Sequence, residues 1–211
     1  MKILLLGANG QVGWELQRSL APLGQMKAYD RHALDLGNFE SLRACVRDHR
    51  PEVIVNAAAY TAVEKAESEH DKANRINAEA VAILADEAKQ LNACLIHYST
   101  DYVFDGTKSN AYLETDETNP QSVYAKTKLQ GEEAIKMSEC NHLIFRTSWV
   151  FATRGSNFAK TMIRLAKEQE ELKIVNDQFG VPTSAELIAD ITALCLHQIA
   201  QDKNSIPNVT G

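Results

Sequence analysis

Tyr124 and Lys128 stand four residues apart in "VYAKTKLQGEEA" (123–134), a stretch that otherwise reads as an amphipathic helix with a charged outer face. On a helix the two would share one face, with Cβ atoms about 5–6 Å apart. A phenol of pKa about 10 exchanges protons poorly at neutral pH. A cation beside it favours the phenolate and moves it towards the range where general acid–base catalysis is efficient. The competing reading is a solvated surface on which Lys128 pairs with Glu132, although a lysine N-terminal to its glutamate is the weaker order for such a pair. A third group fits beside them: "HYSTDYVFDG" (97–106) offers hydroxyls at Ser99 and Thr100, suited to hydrogen-bonding a carbonyl oxygen as charge develops on it.

The pair needs a partner able to use it, and the N-terminus suggests one. The apolar run "KILLLG" leads directly into "GANGQVG", with glycines at 7, 10 and 13, and then into a helical pattern. A tight turn needs the first glycine, close approach of a pyrophosphate the second, and helix packing on the strand the third. The helix N-terminus then presents free N–H groups to phosphates. Gly7, Gly10, Gln11, Val12 and Gly13 are therefore expected at a dinucleotide, against the plainer reading of a glycine-rich turn. The second apolar run ends at Asp30, about where a carboxylate reaches the adenosine ribose diol and repels a 2′-phosphate. Arg31 beside it can hold that phosphate, so NADH and NADPH are both expected to serve; the alternative makes Asp30 a plain turn residue. Ala57, Ala58 and Ala59 in "NAAAYT" would let the backbone pass close to a cofactor, or simply close a packed strand.

The elements that must position these groups alternate. Short apolar runs at 2–7, 26–30, 52–58, 94–99, 143–148 and 172–176 suit strands buried on both faces. Helical patterns fall near 11–23, 38–49, 72–92, 122–138, 157–169 and 184–200. The alternation predicts an α/β fold: a Rossmann-like doubly wound parallel sheet with helices on both faces and right-handed crossovers. The longest stretch without a period, 100–121, starts where the fourth strand ends, on the edge where such sheets bind ligands.

At 211 residues the chain can bury a sizeable core, and its net charge of −6 without a Lys/Arg cluster excludes an electrostatic footprint for nucleic acid or an anionic membrane. Cys45, Cys94, Cys140 and Cys195 are scattered, with no CxxC, and read as reduced thiols. His97, inside an apolar run, is expected to be a hydrogen-bonded core residue rather than a metal ligand. The apolar N-terminal run is shorter than a signal-peptide core of about 7–15 residues, and no run approaches the roughly 20 of a membrane span. A soluble cytoplasmic protein is expected.

The GxxGxxG spacing resembles the extended, nucleotide-sugar branch of the short-chain dehydrogenase/reductase superfamily. From "STDYVFDG" through "YAKTKLQGE" and "LIFRTSWVF" to "NFAKTMIRLAKE" and "NDQFGVPT", the chain is similar over essentially its whole length to the dTDP-4-dehydrorhamnose reductase family. The resemblance implies hydride delivery from NADH or NADPH to the C4 keto group of dTDP-4-dehydro-L-rhamnose. It assigns proton donation to Tyr124, the nicotinamide ribose and the tuning of Tyr124 to Lys128, and the carbonyl oxygen to Thr100 in preference to Ser99. Asp35 and Leu36 fall at adenine-contacting positions, and Asp101 and Trp149 at substrate-side positions. Glu15 and Glu186 match carboxylates that bind Mg²⁺ in this family, and a homodimer is implied.

Related 4,6-dehydratases place Asp-Glu after the catalytic Thr; here Asp101-Tyr102 stands there, which favours simple reduction, while epimerisation would reuse the same Thr, Tyr and Lys. The resemblance divides the chain into a dinucleotide-binding domain, 1–150, and a sheet extension with an incomplete substrate-binding lobe, 151–211. It leads one to expect further sequence beyond "SIPNVTG". A reading from another class is a non-catalytic regulatory protein similar to the regulatory subunit of methionine adenosyltransferase, against which Thr100 and "RTSWV" weigh.

Overall fold

Strand β1 (Lys2–Leu6) occupies the middle of a parallel sheet because nearly every side chain it carries is apolar: Leu4 and Leu6 enter one buried cluster, Ile3 and Leu5 a second on the other side. A strand with two dry faces needs such an unbroken apolar run. The computed structural model describes residues 1–201 and the strand residues 209–210, so 202–208 and 211 of the expected second unit lie outside the described residues. In chain order the main elements are β1, α1 (Gln11–Leu20), β2 (Gln25–Tyr29), α2 (Phe39–His49), β3 (Val53–Asn56), α3 (Val63–Ala66), α4 (His70–Asn74), α5 (Ala80–Leu91), β4 (Cys94–Thr100) and α6 (Val123–Ser138). They continue with β5 (Asn141–Thr147), β6 (Val150–Phe151), α7 (Phe158–Glu168), β7 (Thr183–Ser184), α8 (Ala185–Gln201) and β8 (Val209–Thr210).

The six-stranded sheet runs β2-β1-β3-β4-β5-β8 with every pair parallel, and β6 and β7 form a small parallel pair of their own. Helices α2, α5 and α6 bury their apolar stripes on one face, α1 and α8 on the other. The chain leaves β1 towards β2 on one side and returns to β3 on the other, so a crevice opens above the C-terminal ends of β1 and β3, where such sheets bind ligands.

Two expectations fail. Residues 172–176 form no strand; Ile174 and Val175 are exposed, and a β-branched run without a neighbouring ladder has nothing to hold it extended. The sheet's sixth strand is β8 instead. The helix expected over 72–92 is α4, a π-turn at Arg75–Glu79 and α5, with α3 preceding them. The wide turn aims Asn77 inwards: its Oδ1 accepts from Tyr60 N at 2.8 Å, and its Nδ2 donates to Tyr60 O at 3.1 Å and Thr127 Oγ1 at 3.2 Å. This ties the end of β3 to α6.

The long connection after β4 is irregular yet well bonded. Asp105 accepts from Thr107 N (3.0 Å), Thr107 Oγ1 (2.7 Å), Tyr112 Oη (3.0 Å) and Asn119 Nδ2 (3.1 Å), and these donors hold its carboxyl well below the usual range. Ser122 then starts α6 as its N-cap, accepting from Ala125 N at 3.2 Å, which puts Tyr124 in the first turn.

Candidate active site

The glycine turn closes around its own backbone. Gly7 adopts φ +83°, and a Cβ there would lie 2.7 Å from the carbonyl carbon of Ala57; one at Gly13 would lie 2.0 Å from Gly7 O. Side chains at these positions would push α1 off β1 and β3. Gly10 N donates to Gly7 O at 2.9 Å, and Gly10 begins α1 with no side-chain cap, so the first turn presents bare amides to the crevice.

That crevice is a cleft of about 530 Å³ over β1, β3 and β4. Gly7, Gly10, Gln11 and Val12 line it together with Asp30, Asp35 and Leu36 and with Ala57, Ala58, Ala59, Tyr124 and Lys128. Gly13 lies beneath, packed against the turn. Asp30 faces the cleft, and its carboxylate also shapes the local turn: Oδ1 accepts from His32 N and Ala33 N, both at 2.9 Å, and Oδ2 accepts from Asn9 Nδ2. Arg31 lines the same cleft, and Asp35 Oδ1 accepts from Gly37 N at 2.9 Å.

These residues fit a dinucleotide. The uncapped helix end suits phosphate. Ser99 Oγ, buried at the cleft wall, has no hydrogen-bond partner among the described residues. A buried hydroxyl without a partner is costly, and a polar ligand group relieves it.

Lys128 is buried, with 1% of its surface exposed, and its Nζ donates to Tyr98 O at 2.6 Å and lies 3.2 Å from His97 Nε2. This overturns the expectation that Lys128 lowers the Tyr124 pKa: the ammonium turns down onto β4, and the Tyr124 phenol is pushed up to about 12, by burial first and by Asp101 and Tyr102 besides, with Thr100 opposing. Burial in turn lowers Lys128 to about 8, with Glu132 opposing. The surface pairing of Lys128 with Glu132 does not form. Glu132 is fully buried and takes a bidentate bond from Arg146 on β5, Nε to Oε1 at 3.1 Å and Nη2 to Oε2 at 2.7 Å. Tyr124, Lys128 and Glu132 thus form a row along α6 at four-residue steps.

Thr100 ends β4, its Oγ1 donating to Asp101 Oδ1 at 3.2 Å and accepting from Tyr102 N at 3.2 Å, while Ser148 Oγ donates to Asp101 Oδ2 at 2.7 Å. Asp101, Ser148, Arg146 and Phe104 border a second cavity of about 1000 Å³; Thr100 itself lines neither cavity. Trp149 packs near the second cavity in a left-handed conformation, φ 42°, with its ring against Gly180.

Among the described residues, the expected Mg²⁺ carboxylates Glu15 and Glu186 are not gathered into a metal-binding cluster. Glu15 engages Arg18 Nε at 3.5 Å, Arg18 bonds Asp190 at 2.8 Å, and no group of three or more His, Cys, Asp or Glu that could hold a metal gathers among the described residues.

Several cleft residues carry no local signal. Asn56 sits inside a strand pattern that reads as plain core. Gly155 and Ser156 come from a distant segment, held over the glycine turn by Asn157 Nδ2 donating to Gln11 Oε1 at 2.8 Å and by the Arg154 guanidinium stacked 3.8 Å from the Trp14 ring centroid.

Comparison with known proteins agrees with this geometry. Residues 1–209 match the family model described as the RmlD substrate binding domain. A dTDP-4-dehydrorhamnose reductase of Escherichia coli (strain K12) is 55% identical, the alignment covering 100% of this chain and 71% of that protein. The crystal structure of a dTDP-4-dehydrorhamnose reductase from Clostridium acetobutylicum ATCC 824 superposes with a TM-score of 0.90 at 41% identity, covering 100% of this chain and 72% of that one. That of the Bacillus anthracis str. Ames reductase in complex with NADP gives a TM-score of 0.91 at 36% identity, covering 99% and 72%. With residues 1–209 matched to the family model and more than half its residues shared with a curated relative, the chain belongs to the RmlD family, that of the dTDP-4-dehydrorhamnose reductases.

Proposed function

We propose that this protein reduces the C4 keto group of dTDP-4-dehydro-L-rhamnose to dTDP-L-rhamnose with NADH or NADPH, a step of dTDP-rhamnose biosynthesis. The observation that carries this reading is that Tyr124, kept protonated by its surroundings, lines the same cleft as Gly7 and Gly10. When bound, the reduced dinucleotide supplies the hydride. Tyr124 donates its proton to the oxygen that becomes the C4 hydroxyl, a role that needs the phenol rather than the phenolate. Thr100 Oγ1, on turning its one hydrogen away from Asp101, hydrogen-bonds the same oxygen as its charge grows. Asp101 and Ser148, which border the second cavity, meet sugar hydroxyls, and Trp149 packs on the sugar nucleotide. Asp30 already holds two backbone amides and Asn9, and Arg31 faces the cleft, so a 2′-phosphate is tolerated and both cofactors serve. The NADP-bound Bacillus anthracis relative supports this.

Titration of NADH and NADPH by fluorescence, followed by addition of dTDP-4-dehydrorhamnose, tests the proposal on wild type and Tyr124→Phe. Both forms should bind cofactor, and only wild type should oxidise it at full rate, the variant losing about 10²–10⁴-fold. Oxidation undiminished in Tyr124→Phe would refute the role of the phenol. Binding without oxidation in wild type would instead favour a dinucleotide-binding regulatory protein. A homodimer and a cytoplasmic location rest on the family alone; sedimentation equilibrium tests the first and cell fractionation the second. No helix among the described residues is long and apolar enough to cross a membrane.

A further inference from the structure

Lys128 stands at the end of a chain of buried polar groups running along β3 and β4. Ala58 N donates to Asn56 Oδ1 at 3.2 Å, and because a backbone N–H needs an oxygen acceptor, this contact fixes which end of the amide is which. Asn56 Nδ2 therefore donates to His97 Nδ1, 3.2 Å away. A neutral imidazole whose Nδ1 accepts carries its hydrogen on Nε2, and His97 Nε2 lies 3.2 Å from Lys128 Nζ. Nζ also donates to Tyr98 O at 2.6 Å. Asn56, His97 and Lys128 are each 1% exposed or less, so these groups must satisfy one another.

Proton counting along the chain favours the amine over the ammonium at Lys128. An ammonium has hydrogens and no lone pair, so it sets N–H against the imidazole N–H. A neutral amine accepts from His97 Nε2–H with its lone pair and still donates to Tyr98 O. We propose that His97, locked by Asn56 in the Nε2–H tautomer, is a positioning residue that sets the proton state of Lys128, loosening the ammonium's hold on its proton. The role in turnover rests on the reductase reading. There, the tautomer matters because Lys128, one turn from Tyr124 on the wall of the same cleft, is held on Tyr98 O and His97 Nε2 with its proton loosened. His97 neither gains nor loses a proton.

The titratable and charged groups around Lys128 agree with this assignment. His97 faces it from β4 and is held neutral by burial first and then by Lys128. Tyr124 precedes it by one turn on α6. Glu132, one turn on, favours the ammonium, but its carboxylate is already bonded by Arg146 from β5 and approached by Lys136 at 3.7 Å. Asp101 and Tyr102 lie beyond Tyr124 and act on that phenol.

Two nuclear magnetic resonance measurements on the chain test the proposal without turnover: long-range ¹⁵N correlation of the His97 ring, and ¹³Cε titration of Lys128 in wild type and His97→Gln. In wild type, His97 should remain the neutral Nε2–H tautomer from about pH 6 to 9. His97→Gln, which can turn an acceptor oxygen to Nζ, should raise the Lys128 titration by at least about one pH unit, a tenfold tighter hold on the proton. The pH limb of kcat for cofactor oxidation should move with it, and KM for NADPH should stay. Hydrogen on Nδ1 in wild type, an imidazolium in that range, or an unmoved Lys128 titration in the variant would overturn it. The tautomer is read on wild type, so it decides the matter even where the variant fails to fold. Cofactor binding without oxidation would sink the reductase reading and leave the proton assignment standing.

Discussion

Lys128→Met should change the stability of the chain in opposite directions on the two sides of pH 9. Burial lowers Lys128 from the ordinary 10.5 to about 8. Between these values the unfolded chain binds more protons than the folded one, so this group makes the native state more stable as pH rises through the window. Below pH 8 the penalty for holding the charge in the interior is complete, about 3 kcal/mol at roughly 1.4 kcal/mol per pH unit. Methionine fills a similar volume and removes that penalty, but it leaves the Tyr98 carbonyl and the His97 ring nitrogen without Nζ. Two buried groups stripped of a partner cost about 1 kcal/mol each at the low end of the observed range. The variant should therefore be more stable than wild type by about 1 kcal/mol at pH 6 and less stable by about 2 kcal/mol near pH 10.5, crossing near pH 9. Urea unfolding midpoints at four or five pH values, with an unchanged slope, measure this directly. A difference independent of pH, or a variant already weaker at pH 6, would refute the claim that a charge is held there at a cost.

Glu132→Ala should destabilise the protein by about 3–5 kcal/mol, because Arg146, its side chain 7% exposed, loses both carboxylate oxygens. Urea denaturation giving a loss below about 1 kcal/mol would mean the pair is screened like an exposed one, whereas the double replacement Glu132→Leu with Arg146→Met should recover most of the loss. Gly13→Ala should weaken NADPH binding at least tenfold in fluorescence titration, since its Cβ would meet Gly7 O at 2.0 Å. Gly10→Ala, whose Cβ meets that atom at 3.3 Å, should bind more tightly than Gly13→Ala. Equal affinities would argue that α1 shifts freely on the sheet.

The central strands were legible because a segment with two dry faces must be apolar throughout, as in "ILLL" and "VIV". The same rule misled at 172–176, where β-branched residues lie in the open with no ladder beside them. It was also blind to β8, two residues whose extended form depends on pairing with Leu143 and Ile144. Through 72–92 an apolar face persists across the π-turn, so periodicity did not register the extra residue. At the site, the glycine turn and the Tyr124–Lys128 pair were readable because their meaning is local. Spacing set the two side chains on one face but could not say where Nζ would point. Its partners on β4 lie 30 and 31 residues away and are chosen by packing, which is why the phenol ended higher than expected. His97 was recognised as a bonded core residue, but its bonding to both Asn56 and Lys128 exists only in three dimensions.

The row Tyr124, Lys128, Glu132 also bears on which changes of length this protein can tolerate. Each step of four residues overshoots a full helical turn by about 40°, so the row winds gradually round α6. Tyr124 looks into the cleft, Lys128 down onto β4, and Glu132 across to Arg146 on β5. Losing or gaining one residue between 124 and 132 would swing everything on one side by about 100°. The acid would then be out of phase with its lysine, or both with the ion pair that anchors them. Drift in length among relatives should therefore fall outside this interval, where a shift of register does not scramble the directions in which three neighbouring side chains point.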